Sequence, residues 1–132
     1  MTNSIYNTRQ VRGDFGEDAV CDYLTAQGCQ IIERNFCKRS GEIDIIATDG
    51  RELVFVEVKT RKFGSLTDGQ DAVNRTKRKK LVETARAFLR ETQFTHQMNA
   101  RFDVASVVVS TDESPQLLEL EYFENAFDAA LV

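Results

Sequence analysis

The sequence GEIDIIATDGRELVFVEVKTR, from Gly41 to Arg61, is the most informative stretch of the chain. Its two halves are rich in branched apolar residues, which favour β-strands. Between them lies Asp49-Gly50, a dipeptide typical of a two-residue hairpin turn because both positions tolerate positive φ. The pattern therefore predicts strands at Glu42–Thr48 and Arg51–Lys59, paired antiparallel around this turn.

Four charged side chains of this hairpin are predicted to share one face of the sheet. Residues two apart in a strand point to the same side, which groups Glu42 with Asp44 and Glu57 with Lys59. A two-residue turn puts Glu42 opposite Glu57 and Asp44 opposite Phe55. Asp44 and Glu57 are then diagonal neighbours, roughly 7–8 Å apart at the backbone. Two carboxylates at that separation can reach one divalent cation.

The residue types of this face favour a hard cation. The stretch Val54–Val56 is apolar enough to be interior, so acids and a lysine beside it cost desolvation unless they pair or bind a metal. Carboxylates without histidine or cysteine prefer Mg²⁺ or Mn²⁺ to zinc. A lysine such as Lys59 can orient an attacking water or stabilise charge on a phosphate oxygen. The alternative is a solvent-facing strand with a salt bridge, and the convergence of four charges favours a site.

The rest of the chain predicts a mixed α/β sheet around this hairpin. Apolar spacing predicts a helix at Asp14–Gln27, a strand at Gln30–Phe36 and a long helix at Gln70–Thr92. Phe102–Ser110 is nearly continuously apolar, which is typical of a strand buried on both faces. Gln116–Phe123 is a candidate edge strand. The order αβββαβ, with that candidate extra strand, predicts one α/β domain with a mixed β-sheet flanked by helices.

Composition excludes several classes of protein. A chain of 132 residues, 42% hydrophobic and 29% charged, is typical of one folded domain rather than a disordered segment. The single histidine, His96, rules out sites that need two. No apolar run reaches the roughly 18 residues of a membrane span, and Met1–Arg12 lacks the apolar stretch of a signal peptide. We therefore expect a cytoplasmic protein.

Charge is segregated along the chain. Lys59–Arg90 holds ten basic and three acidic residues, a balance of +7, whereas the whole chain carries −4. An acidic protein with one basic segment can still bind a polyanion locally. The alternative, which the charge taken alone favours, is that these lysines and arginines only decorate a solvated helix. At about 100° per residue, Lys77 and Lys80 lie roughly 60° apart on one flank of the predicted helix, where they can meet a phosphate backbone. The other side of the helix carries three residues that we expect to be solvated, Arg75, Lys79 and Arg86.

Several ordered motifs together resemble a known family. They are Gly16-Glu17, Asn35, Gly41-Glu42-Ile43-Asp44, Phe55-Val56-Glu57-Val58-Lys59, Lys77 with Lys80-Leu81, and Arg101-Phe102-Asp103-Val104. Asp44 followed by Glu57-Val58-Lys59 resembles the D…E-x-K core of the PD-(D/E)xK nuclease superfamily. The full set, over about Arg12–Phe127, resembles the bacterial YraN family of predicted endonucleases, which is itself similar to archaeal Holliday-junction resolvases.

The resemblance implies a restriction-endonuclease-like core and metal-dependent hydrolysis of phosphodiester bonds in DNA, with branched DNA as one candidate substrate. Carried over by position, Asp44 and Glu57 would hold Mg²⁺ or Mn²⁺, with the backbone carbonyl of Val58 as a further ligand. Lys59 would act on the water or on the scissile phosphate.

Two more acids are candidates through the resemblance. Glu17 corresponds to the helix acid of the resolvase-like nucleases, a candidate metal or water contact; the alternative is an acid favoured by the helix dipole. Glu42 matches the family as an additional site residue. This chain departs from the superfamily pattern in one respect. The residue two positions before Asp44 is Glu42, and the sequence has no Pro-Asp pair.

Three functions remain open from the sequence. The first is an Mg²⁺-dependent endonuclease, the second a nucleic-acid-binding module of the same fold without useful catalysis, and the third a structural partner protein whose acids merely bind cations. Intact Asp44, Glu57 and Lys59 favour the first over the second, and the basic helix favours both over the third. Because junction resolvases act as dimers, a homodimer is one arrangement to expect.

Overall fold

The elements follow the predicted order. The computed structural model describes residues 9–65, 74–92 and 98–129. Its elements are α1 (Arg9–Ala26), β1 (Gln30–Lys38), β2 (Gly41–Thr48), β3 (Glu52–Lys62), α2 (Arg75–Glu91), β4 (Asn99–Val109) and β5 (Leu117–Phe127). Within these residues the strands form one sheet in the order β1-β2-β3-β4-β5. The predicted αβββαβ order is confirmed, and the candidate edge strand is present as β5.

The sheet is mixed because one connection crosses over. β1, β2 and β3 pair antiparallel in succession, whereas β3 and β4 pair parallel and β5 returns antiparallel to β4. A parallel pair cannot be joined by a tight turn and needs a crossover, within which α2 lies. β3 and β4 are central strands, and most of their apolar residues are buried.

Among the described residues, one helix packs on each face of the sheet. Along β2, Ile45 packs in the apolar cluster that includes Val20 and Leu24 of α1, whereas its neighbour Ile46 packs with Leu81 and Phe88 of α2. This alternation follows from the two-residue period of a strand. Burying each such side chain contributes about 1.5–3 kcal/mol, so both layers stabilise the central strands that carry the charged residues.

The turn between β2 and β3 is longer than the sequence predicts. Thr48 lies opposite Leu53, so four residues rather than two separate the last pair. Asp49 Oδ1 accepts hydrogen bonds from the N–H groups of Arg51 and Glu52 at 2.8 and 2.9 Å, which stabilises the wider turn. The predicted register is therefore wrong by two residues. Because two residues are one full period of a strand, this shift by itself does not move Asp44 and Glu57 to opposite faces of the sheet.

The helix boundaries also differ from the predicted ones. α1 begins at Arg9 rather than Asp14. α2 begins at Arg75, after the cap residue Asn74, whose Oδ1 accepts a hydrogen bond from the N–H of Lys77 at 2.9 Å. The predicted first turn, Gln70–Val73, lies outside the described residues. Neither helix is long and apolar enough to cross a membrane within the part of the chain that the structure describes.

The close approach of α1 to β3 depends on Gly16 and is testable. A Cβ at Gly16 would lie 2.0 Å from Oγ1 and 3.0 Å from Cβ of Thr60. Because the helix must move away to relieve this overlap, we expect Gly16→Ala to lower the free energy of unfolding by about 1–3 kcal/mol. Urea denaturation followed by circular dichroism measures the change.

The matched control lies three residues earlier in the same helix. A Cβ at Gly13 meets no atom within 4 Å, so Gly13→Ala should stabilise the protein by up to about 1 kcal/mol through helix propensity. A Gly16→Ala variant as stable as the Gly13→Ala variant would contradict the close packing of α1 on β3.

Candidate functional site

Asp44 lies where β2 and β3 part. The recorded pairing runs from Thr48 opposite Leu53 to Ile45 opposite Val56. Beyond it, the N–H of Val58 donates a hydrogen bond to Oδ2 of Asp44 at 2.7 Å. A side-chain carboxylate thus takes the place of a backbone acceptor on the neighbouring strand. This hydrogen bond fixes the carboxylate of Asp44 beside the strand that carries the other candidate site residues.

The carboxyl groups of Asp44 and Glu57 form an electrostatically strained pair. Burial raises the pKa of Asp44 to about 8, and the charge of Glu57 adds to the rise, whereas the hydrogen bond from Val58 lowers it. The charge of Glu17 and a hydrogen bond between Asp44 and Glu57 also raise it. Two acids held this close favour a shared proton or a bound cation. The predicted convergence of these acids is present, although the pair is not the diagonal one that a two-residue turn would give.

Lys77 lies against this carboxyl pair, and Lys59 lies beside Lys77. Nζ of Lys77 is 3.3 Å from Oε2 of Glu57, whose side chain is only 12% exposed. Lys59 lies within hydrogen-bonding distance of Lys77, and the charges of Glu57 and Asp44 raise the pKa of Lys77, while burial opposes the rise. Lys77 was predicted only to meet phosphates from the helix flank. The structure brings it to the acids, so that Asp44, Glu57, Lys59 and Lys77 form one cluster.

Glu17 lies at the margin of this cluster with a cation of its own. Its side chain is 14% exposed, and Oε1 lies 3.4 Å from Nη2 of Arg34 in β1. Burial raises the pKa of Glu17, and hydrogen bonds from Arg34 and Asn35 oppose the rise. Asn35 has a φ of 54°, a conformation that asparagine tolerates better than most residues. The sequence pattern gives no signal for Arg34, because no local motif predicts that a residue of β1 contacts the acids of α1.

Glu42 and Lys80 have contacts outside the cluster. Glu42 is exposed, and its Oε2 accepts a hydrogen bond from Sγ of Cys37 at 3.4 Å. Lys80 is exposed, and its Cβ lies close to Gly41 at the start of β2. Arg78, for which the apolar pattern offered no role, has its guanidinium 5.6 Å from the ring centroid of Phe127. This cation–π contact explains an arginine within the apolar arc of α2.

The donor set fits one kind of cation. In residues 9–65, 74–92 and 98–129, no group of three or more His, Cys, Asp or Glu side chains is arranged to hold a metal. The candidate donors are therefore the carboxylates of Asp44 and Glu57 and the carbonyl of Val58. Mg²⁺ keeps several waters and commonly uses one or two carboxylates, unlike Ca²⁺, which takes six to eight oxygen ligands. Two clustered carboxylates, of which Asp44 has a raised pKa, fit Mg²⁺ or Mn²⁺ in this partly hydrated form.

A second charged cluster lies on the α1 face of the sheet. Asp103 is 1% exposed and accepts hydrogen bonds from Arg101 Nε at 3.2 Å, Tyr122 Oη at 2.6 Å and the N–H of Asn125 at 2.7 Å. Arg101 also donates to Glu52 at 2.9 Å. These contacts join β3, β4 and β5. The Arg101–Val104 motif therefore stabilises the edge of the sheet.

The structure defines an α/β protein with a carboxylate pair and two lysines at the point where two central strands part. Residues 16–107 match the model of a family described as "Uncharacterised protein family UPF0102". The chain belongs to this family, which confirms the resemblance to the YraN family.

Close relatives extend over most of the chain. A UPF0102 protein of Pelotomaculum thermopropionicum is 39% identical over 121 residues, which cover 92% of this chain and 98% of the relative. One of Trichlorobacter lovleyi is 40% identical over 122 residues, covering 92% and 93%. Among solved structures, "The structure of Pyrococcus Furiosus SfsA in complex with Ca2+" matches with a TM-score of 0.43 and 12% identity, over 87% of this chain and 63% of that chain. A likeness this distant carries no conclusion about ligand or activity.

The strained carboxyl pair makes a prediction about stability. The pKa of Asp44 is raised to about 8 from an ordinary value of 3.8, so the folded protein binds more protons than the unfolded chain between these values. Stability therefore falls as pH rises through this window. Asp44→Asn keeps an acceptor for Val58 without the charge, so in EDTA it should melt several degrees above the wild type at pH 8. Relieving ~1 kcal/mol raises Tm by about 3–6 °C.

The control for this prediction is Asp22→Asn, at an exposed position of α1. Thermal denaturation between about pH 5 and pH 8.5 should show the advantage of Asp44→Asn growing with pH, whereas the Asp22→Asn curve should stay parallel to the wild type. If the Asp44→Asn variant melts below the wild type by the same margin at every pH, the raised pKa of Asp44 does not destabilise the folded protein and the prediction is wrong.

Proposed function

We propose that this protein is a metal-dependent endonuclease that hydrolyses phosphodiester bonds of DNA. The observation that carries the proposal is the clustering of Asp44, Glu57, Lys59 and Lys77 in one partly buried site. Carboxylates that bind a hard cation beside lysines that stabilise phosphate charge are the groups that phosphodiester hydrolysis needs. Membership of the YraN family, whose motifs resemble those of the PD-(D/E)xK nucleases, supports the same activity.

The metal-binding part of the site is assigned to β2 and β3. Asp44 and Glu57 would hold Mg²⁺ or Mn²⁺, and the carbonyl of Val58 would be a further ligand. The N–H of Val58 orients Asp44 by occupying its Oδ2. When bound, the metal supplies charge stabilisation at the phosphoryl oxygens and lowers the pKa of water. In the absence of metal, a proton on the acid pair and the ammonium of Lys77 offset the same negative charge.

The remaining residues act on the substrate. Lys59 lies on the same strand face as Glu57, two residues later, where its amine can stabilise charge on the scissile phosphate or orient the attacking water. Glu17, held by Arg34 at the margin of the site, is the candidate water contact. Lys80, exposed on α2, is assigned to a neighbouring phosphate without reading bases. Branched DNA and a homodimeric arrangement remain candidates through the likeness to junction resolvases.

One observation favours the alternative, a nucleic-acid-binding module without useful catalysis. Lys77 already compensates the charge of Glu57, and Asp44 binds a proton up to about pH 8. A site that satisfies itself in this way has less need of a metal. Cleavage assays separate the two functions: labelled single-stranded, duplex, flap and four-way DNA are incubated with Mg²⁺, Mn²⁺ or EDTA. Metal-dependent products support the nuclease, whereas binding without cleavage of any substrate supports the module.

Metal binding is tested by calorimetric titration with Mn²⁺. Asp44→Asn and Glu57→Gln each remove a proposed ligand and should weaken the affinity by more than about tenfold, since even outer-shell changes cost about 10–100-fold. For the wild type, affinity should rise with pH towards about 8, because the cation must displace the proton of Asp44. Glu33→Gln, at an exposed position of β1, is the control. Wild-type affinity in both ligand variants would exclude this metal site.

Chemistry is tested separately from metal binding with Lys59→Ala. Because this change removes no proposed ligand, Mn²⁺ affinity should stay within about threefold of the wild type, while single-turnover cleavage of the best DNA substrate should fall by about 10²-fold or more. Lys79→Ala, which removes an exposed lysine from α2, is the control and should cleave at the wild-type rate. Undiminished cleavage by Lys59→Ala would restrict Lys59 to a structural role.

A further inference from the structure

A basic groove lies between α2 and the turn that joins β1 to β2. This open groove has a volume of about 520 Å³, and its basic lining residues are Lys38, Arg39, Arg86 and Arg90. The sequence motifs assign no function to this turn, and the helix periodicity predicts only a solvated Arg86. None of the residues that line the groove belongs to the carboxyl and lysine cluster, so the groove is a separate feature of the surface.

The groove has more positive charge than its own acids neutralise. Of its two glutamates, Glu91 is paired with Lys38. Arg39, Arg86 and Arg90 have no hydrogen-bond or ion-pair partner among the residues that the structure describes, and only Glu83 remains to offset them. Guanidinium groups with free donors bind planar oxyanions through paired hydrogen bonds, which makes phosphate a suitable ligand class.

The walls of the groove are fixed relative to each other. Ser40, in the β1–β2 turn, and the fully buried Thr84 of α2 share a hydrogen bond of 2.7 Å between their hydroxyl oxygens. The hydroxyl of Thr84 also donates to the carbonyl of Lys80 at 2.8 Å. The turn that carries Arg39 is thereby held against the helix that carries Arg86, so the arginines need no rearrangement of the backbone to meet a ligand together.

The groove and the proposed nuclease site lie along the same helix. Lys77 contacts Glu57 at one end of α2, Lys80 lies over the start of β2, and Glu91 meets Lys38 at the other end. Thirteen residues separate Lys77 from Arg90, which is about 20 Å at 1.5 Å per residue. That length corresponds to about six base pairs of duplex at 3.4 Å per pair.

We propose that this groove is a second phosphate-binding site, which holds the nucleic-acid backbone about six base pairs away from the carboxyl cluster. The inference rests on the proposed function, because it assigns the groove to the same substrate. It adds that the substrate lies along α2 towards the β1–β2 turn, and that Arg39 and Arg86 contribute to affinity without contacting the scissile phosphate.

The salt dependence of DNA binding tests the groove. Anisotropy of a labelled duplex of about 20 base pairs is measured in EDTA, where metal-dependent cleavage is absent, over a range of salt concentrations. Each lost phosphate contact flattens the plot of log K against log salt by about 0.9, so Arg39→Ala combined with Arg86→Ala should flatten it by about 1.8. Arg51→Ala is the matched control, since it removes an exposed arginine from the turn at the opposite end of β2 and should leave the slope unchanged.

A parallel variant distinguishes failure of the groove from failure of the proposed function. Lys80→Ala should flatten the slope by about 0.9. If it does so and the arginine pair does not, the groove assignment is overturned and the proposed nucleic-acid function stands. If the wild type binds neither this duplex nor single-stranded, flap or four-way DNA at any salt concentration, both are overturned.

Two further outcomes would also overturn the groove assignment. The first is an Arg51→Ala slope as flat as that of the arginine pair, which would indicate a general charge effect. The second is a loss of affinity for polyglutamate, but not for DNA, in the arginine variant, which would indicate an acidic peptide as the ligand. Far-ultraviolet circular dichroism of each variant verifies that α2 is intact.

Discussion

The hydrogen bond from the Val58 N–H to Asp44 is the interaction on which the candidate site depends. It lies where the recorded pairing of β2 and β3 ends, and it connects the two strands through a side chain. Without it, Asp44 would be a partly buried carboxylate with no backbone donor. With this hydrogen bond, the carboxylate of Asp44 is oriented beside Glu57. The same hydrogen bond also fixes the orientation of the Val58 backbone. Strand pairing and site geometry are therefore coupled at one atom pair.

The placement of Asp44 beside Glu57 lowers the stability of the folded protein at higher pH. Burial and the charge of Glu57 raise the pKa of Asp44 to about 8, so ionising the acid opposes folding at higher pH. The apolar layers of α1 and α2 on the two faces of the sheet compensate for this cost, since most of their contacts are independent of pH. Such strain is typical of functional sites, where a group is held ready for a ligand rather than satisfied by the fold. Lys77 offsets part of the charge.

Much of this arrangement could be predicted from the sequence because strands have a period of two. The turn at Asp49-Gly50 was predicted two residues too short, yet Asp44 and Glu57 stayed on one face, since a shift of two preserves sidedness. A shift of one would have separated them. Contacts between distant elements could not be predicted in this way. The pairing of Glu17 with Arg34, and of Arg78 with Phe127, depends on how helices are placed over strands, which no local pattern encodes.

Lys77 illustrates why helix periodicity alone could not assign the basic residues. An angular count around α2 places Lys77 and Lys80 together on one flank, but it does not say what lies beneath each residue. In the structure Glu57 lies beside Lys77 and Gly41 beside Lys80, so neighbours of the same charge differ in environment. The environment of a basic residue depends on its position along the helix axis as much as on its angle around the axis. One part of α2 lies over the charged residues near Glu57, and another part lies over the β1–β2 turn. The same axial progression extends to the arginines at the far end of α2, where, among the described residues, the acids that line the groove are Glu83 and Glu91 of the helix itself.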